Sequence, residues 1–223
     1  MNPYVAQKLM QFCNQTYITS NTYCANNRGL EFSIYDSDIG KVLAIKGSLE
    51  IVDWMADVNI RLVKVSGGRV HEGFLALIRE LTGVLENNSI GISDPLWVTG
   101  HSLGGALASL IAPEVQDRFG LHGVYTFGSP CVGDEDIAGF IERKIQTPIY
   151  RVVNRADVVP RLLEIHPGYD HVGEPVLIDN EKMEIREIPF LKSTNPIAGI
   201  YDHLPWNYLE GIARVIKRFE RVS

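Results

Sequence analysis

One stretch constrains this chain more than any other: Trp97-Val98-Thr99-Gly100-His101-Ser102-Leu103-Gly104-Gly105-Ala106-Leu107-Ala108. An apolar, β-prone run ends at Gly100 and a helix-forming run starts after Ser102, so G-x-S-x-G falls on a strand-to-helix turn. The chain must bend sharply there, with the serine in a strained backbone conformation. Gly100 and Gly104 have no Cβ to collide as strand and helix converge. Such a turn lifts a hydroxyl above the carboxyl end of a sheet and beside a helix N-terminus, where the Leu103 N–H can meet a developing oxyanion. The plainer reading is a glycine-rich helix start with an accidental serine.

The surrounding pattern predicts the sheet that such a turn needs. Residues 95–99, 123–127 and 149–154 read as strands, separated by helices from 103 and over about 134–145. Alternating strands and helices imply βαβ units, a mainly parallel sheet and helices on both faces. Before them, residues 4–15 carry apolar side chains at helical spacing, 31–35 and 41–45 read as a hairpin, and 70–74 lead into a helix over 75–86. After them, 175–179 and 183–188 read as paired strands. A closing helix over about 205–220 has Tyr208, Leu209, Ile212, Val215, Ile216 and Phe219 on one face. Residues 19–28 and 192–199 read as loops, and no linker divides the chain. The expectation is an α/β fold forming a single domain over 1–223, with its core at about 31–221.

A serine becomes a nucleophile only with a base and a group that orients the base. In strand–turn–helix sites the order along the chain is Ser, then Asp or Glu, then His. Asp157, just past the strand at 149–154, is the preferred acid over Asp134, which reads as a helix cap, and over Asp170. Six histidines compete for the base. His71 and His122 read as structural, and His101 is too close in sequence to curl onto Ser102. His166 and His171 lie only a few residues beyond Asp157. His203, entering the last helix, is preferred, with His171 second.

Composition narrows the partners. A net charge of −6 argues against binding nucleic-acid phosphates. No run approaches the roughly 18–20 apolar residues of a membrane-spanning helix. The N-terminus lacks the basic start and apolar run of a signal peptide, which sets a cytoplasmic location as the default and secretion as the alternative if a segment has been removed. Three cysteines, Cys13, Cys24 and Cys131, are too few for a disulfide framework. Cys13 and Cys24 are read as reduced, although a short loop would let them pair. Arg214, Lys217, Arg218 and Arg221 form a stripe on the last helix, read as a solvated face.

Several segments, in order, resemble the fungal-type (class 3) lipases of the α/β-hydrolase fold, from about residue 41 to 208. They are Ala44-Ile45-Lys46-Gly47-Ser48, Trp54, Val70-His71-Glu72-Gly73-Phe74, the serine turn, Tyr125-Thr126-Phe127-Gly128-Ser129-Pro130-Cys131-Val132-Gly133-Asp134, residues 150–160, and Gly168-Tyr169-Asp170-His171-Val172-Gly173. The resemblance implies a catalytic triad of Ser102, Asp157 and His203, with His171 structural. It implies an oxyanion hole from the N–H groups of Ser48 and Leu103. Lys46 stands where the family usually has Arg, which loses the planar fork that makes paired hydrogen bonds.

In the family a helical lid follows the oxyanion serine, and here Ile51, Trp54, Met55 and Val58 recur at helical spacing. The same pattern also describes a helix buried against the core. Residues 188–191, Pro196 and Ile197 would line an acyl pocket or fill core. The implied activity is hydrolysis of acylglycerol-type lipid esters through an acyl-enzyme, with transient contact with a lipid interface and without metal or organic cofactor. The alternatives are a carboxylesterase or feruloyl-type esterase acting on soluble esters, and a catalytically silent lipase-like interaction protein.

Overall fold

A computed structural model describes residues 1–19, 23–24, 30–48, 61–87, 94–164, 166–179, 182–185 and 196–222. The candidate lid, with Ile51, Trp54, Met55 and Val58, lies outside the described residues, as do residues 188–191 of the candidate acyl pocket.

The chain opens with α1 (Pro3–Ile18). The Asn2 side chain caps it by accepting from the Tyr4 and Val5 N–H groups at 2.9 and 3.4 Å. A short β1 (Tyr23–Cys24) is followed by β2 (Glu31–Ser37) and β3 (Gly40–Ile45). A second hairpin, β4 (Leu62–Val65) and β5 (Gly68–His71), leads into α2 (Glu72–Asn87). Next come β6 (Leu96–His101), α3 (Leu103–Arg118), β7 (Leu121–Phe127), α4 (Glu135–Lys144) and β8 (Ile149–Asn154). The chain continues through β9 (Glu174–Asp179), β10 (Lys182–Ile185), α5 (Pro196–Asp202) and α6 (Pro205–Val222).

Eight strands form one sheet in the order β1-β2-β3-β6-β7-β8-β9-β10. The run from β3 to β9 is parallel, and antiparallel strands flank it at both edges. The expected mainly parallel sheet is therefore present, and helices cover both of its faces. Alternation along β3 shows how the two cores are divided. Leu43 and Ile45 join α2, α3 and α4 on one face. Val42 and Ala44 join α1 and α6 on the other. Each fully buried leucine or isoleucine contributes about 1.5–3 kcal/mol.

Three local expectations need correction. The hairpin β4–β5 lies where only a lead into a helix was read, with Val65 paired to Gly68 across the turn. Helix α5 occupies part of the stretch read as a loop over 192–199; Pro196 stands at its first position, where a missing N–H costs nothing. Phe219 does not share the buried face of α6 but is 54% exposed. The basic stripe on that helix is exposed, as expected, and Arg214 pairs with Glu210 at 2.8 Å.

Candidate active site

Strand β6 ends at His101 and α3 begins at Leu103, so the whole reversal is carried by Ser102. Its backbone sits at φ 60°, ψ −127°, and it is the one non-glycine residue with positive φ among the described residues. Such a conformation costs of order 1–3 kcal/mol and persists only where the surroundings enforce it. They do so here. The Ser102 N–H donates to the Phe127 carbonyl at 2.8 Å, and its own carbonyl accepts from Gly105 N–H at 2.9 Å. Helix α3 starts so close to β3 that a Cβ on Gly104 would lie 2.1 Å from the Ile45 carbonyl oxygen. Leu103, as first residue of α3, has an N–H with no partner inside the helix.

The loop after β8 delivers Asp157, fully buried. One carboxylate oxygen accepts from the Val159 N–H at 2.9 Å. The other accepts from two side chains, His203 Nδ1 at 2.8 Å and the Tyr208 hydroxyl at 2.6 Å. Tyr208, on the first turns of α6, also accepts from the Asn154 N–H at 3.1 Å. Burial, then the Asp157 charge, raises its phenol well above the ordinary range, so it stays a donor. Its role escaped the sequence reading, which placed it with the apolar face of the helix.

His203 lies at the turn between α5 and α6, 5% exposed. Because Nδ1 faces a carboxylate, it carries the proton and Nε2 is left as an acceptor, the tautomer a general base needs. Two buried atoms have no hydrogen-bond partner in this arrangement, Ser102 Oγ and His203 Nε2. The bond between serine and histidine is thus not made in this structure. Their neighbourhood is nevertheless shared: the rings of His101 and His203 lie 4.6 Å apart. Gly128, at φ +60°, packs against the pair so closely that a Cβ there would lie 2.7 Å from Asp157 Oδ2 and 2.9 Å from His203 Nδ1.

The segment carrying Ser48 passes over the turn, since a Cβ on Gly47 would approach the Ser102 Cβ to 3.1 Å. Lys46, standing where the resemblance leads one to expect arginine, still anchors this segment. Its ammonium lies 2.9 Å from Glu31 Oε2, and its N–H donates to the Glu31 carbonyl at 2.9 Å. An ion pair to the start of β2 thus stands in place of the fork.

The competing residues have other duties. His171 Nε2 is 2.7 Å from Glu164 Oε1. Asp134 caps α4 by accepting from Ile137 N–H at 3.1 Å, and it also binds the backbone and guanidinium of Arg69. His71 accepts from Gly73 N–H at 3.1 Å, and burial pushes its ring down to about 4. Cys13 and Cys131 are free, buried thiols. Among the described residues no cluster of three potential ligands could hold a metal ion, and no helix is long and apolar enough to cross a membrane.

Comparison with known proteins adds a family match, two relatives and two solved structures. The family model for lipase (class 3) matches residues 42–166. The lipase of Rhizomucor miehei is 33% identical over 192 residues, covering 77% of this chain and 53% of that protein. A solved structure of a Rhizomucor miehei triacylglyceride lipase superposes with a TM-score of 0.70 at 27% identity, over 90% of this chain and 92% of the other. A secreted mono- and diacylglycerol lipase of Fusarium solani is 31% identical over 151 residues, 64% of this chain and 45% of its own length. A solved triacylglycerol lipase, described as having a serine protease triad at its catalytic centre, gives a TM-score of 0.66 at 29% identity over 82% of this chain and 77% of that one. The chain spans about half the length of the curated relatives it matches. A cytoplasmic default finds no support among relatives named as secreted.

Proposed function

This chain belongs to the class 3 lipase family, and we propose that it hydrolyses carboxylic esters of acylglycerol-type lipids through an acyl-enzyme on Ser102. The observation that carries this reading is the pairing of a strained, buried serine with a buried histidine that a carboxylate holds in the base tautomer. His203 Nε2 takes the hydroxyl proton as Ser102 Oγ attacks the ester carbonyl. Asp157 orients the ring and stabilises the imidazolium that forms. The Leu103 N–H, with Ser48 from the facing segment, receives the oxyanion. The alcohol leaves with the proton from His203. Water, activated by the same ring, then frees the acid. The gap between Ser102 Oγ and His203 Nε2 closes on binding, as catalytic hydrogen bonds often tighten in the substrate complex.

Substrate presented at a lipid surface fits the triacylglycerol and diacylglycerol lipases among the relatives. A rate that rises when an ester series passes its aggregation point supports this, and a rate that follows monomer concentration alone argues for a soluble-ester enzyme. The hydrolase reading itself is tested by a fluorophosphonate probe with peptide mapping. The adduct is expected on Ser102, and Ser102→Ala is expected to lower p-nitrophenyl ester turnover at least about 10⁴-fold. An adduct on another serine, or turnover retained by the variant, removes the mechanism.

A further inference from the structure

The proposed reaction leaves His101 without a task, yet this ring is 2% exposed and engaged at both nitrogens. Its Nε2 lies 2.6 Å from the backbone carbonyl oxygen of His203. A carbonyl only accepts, so Nε2 carries a proton. Burial, reinforced by the neighbouring His203, holds the ring well below the ordinary imidazole range. The ring is neutral, and Nδ1 is bare. Facing Nδ1 at 2.9 Å is the hydroxyl of Tyr17, from the last turn of α1; it therefore donates. Burial keeps that phenol protonated, and its oxygen accepts from the Gly47 N–H. The approach is close, since a Cβ on Gly47 would come within 2.3 Å of the Tyr17 oxygen. One carbonyl at the end of the chain thus assigns every hydrogen in it. Gly47 N–H donates to Tyr17, Tyr17 O–H to His101 Nδ1, and His101 Nε2–H to His203.

We infer that Tyr17 and His101 are positioning residues, a hydrogen-bonded strut that fixes the oxyanion segment at Gly47-Ser48 against the backbone of the base at His203. The inference rests on the hydrolase reading above, because it assigns the strut a purpose within that reaction. The two ends it joins stand on separate loops, one after β3 and one after α5. The strut has a second effect. The ring of His203 lies 4.6 Å from that of His101, so a charge on His101 would oppose the imidazolium that must form on His203. Tyr17 occupies the one nitrogen at which His101 can take up a proton. No proton has to travel along the strut during turnover.

The test is Tyr17→Phe, which keeps the ring and removes the hydroxyl. We expect kcat on p-nitrophenyl butyrate to fall about tenfold while KM stays within about twofold. Imidazole ¹⁵N spectra should show His101 protonated at Nε2 alone in the parent, and a loss of that single tautomer in the variant. A kcat within about twofold of the parent overturns the strut. So does a kcat loss with the His101 tautomer unchanged, since the effect would then not pass through that ring. So does a parent ring protonated at Nδ1 or at both nitrogens, which decides the matter even where Tyr17→Phe fails to fold. A parent that turns over no ester brings down the hydrolase reading instead, and the spectra alone then judge the strut.

Discussion

The Asp157 carboxylate receives three hydrogen bonds, and the one from Tyr208 crosses from a helix that otherwise serves the core. Tyr208→Phe removes that donor and leaves the Asn154 N–H without its acceptor. Losing partners of buried polar groups costs about 1–3 kcal/mol, so urea unfolding should register a loss of that size. With only two donors left, the carboxylate holds His203 less firmly, and kcat should fall about three- to tenfold. An unchanged kcat would mean that the Val159 N–H and the histidine suffice. At this scale the turn at Ser102 and the loop at Asp157 follow from strand and helix patterns. Those patterns left His203 and His171 in competition, and the structure sets His203 against Asp157. Tyr208 was not legible, because an aromatic at helical spacing among Leu209, Ile212 and Ile216 reads as core. Its hydroxyl was the missed signal, since a buried tyrosine needs a polar partner.

Helix α4 depends on a single residue at its start. Asp134 caps the helix and simultaneously holds the Arg69 backbone and guanidinium from the β4–β5 hairpin. Burial alone would raise this carboxyl, but the hydrogen bonds and charge of Arg69, with the Ile137 N–H, outweigh it and lower the value. A carboxyl lowered by folding stabilises above its unfolded pKa of about 3.9, and that stabilisation is lost as pH falls through the folded value. Asp134→Ala should therefore cost about 1–2 kcal/mol near neutral pH. The difference from the parent should shrink below about pH 4. A penalty independent of pH in thermal melts would assign the loss to packing instead. The cap itself was readable, as Asp preceding a helix-forming run. The hairpin it grips was not: each strand has four residues, too few for an alternating pattern to stand out. Helix α5, of seven residues, was likewise hidden, because Pro196 and Gly199 are the residues that ordinarily mark loops.

The whole molecule places a core on each side of its sheet, and α1 and α6 seal one of them together. Cys13 lies in that core and Cys131 in the other, both fully buried. Burial pushes the Cys13 thiol up to about 12 and raises Cys131 as well, so neither offers a thiolate in the native state. Alkylation followed by peptide mapping should leave both unmodified until the urea concentration that unfolds the whole chain. Modification of Cys13 well below that midpoint would mean that α1 detaches separately. The layered architecture was visible in the sequence because the alternation of strands and helices has few solutions. The exposure of Phe219 was not, since helical spacing alone does not say where a long helix runs off the edge of its sheet. The hydrogen-bonded cluster recruits members from residue 17 to residue 208, with the serine turn midway. On the ribosome, about 100 residues must follow that turn before the last partner emerges, a delay of roughly 5–20 s. Through that interval the nascent polypeptide carries Ser102 without His203, so the hydrolysis proposed above would begin only after nearly the whole polypeptide has been made.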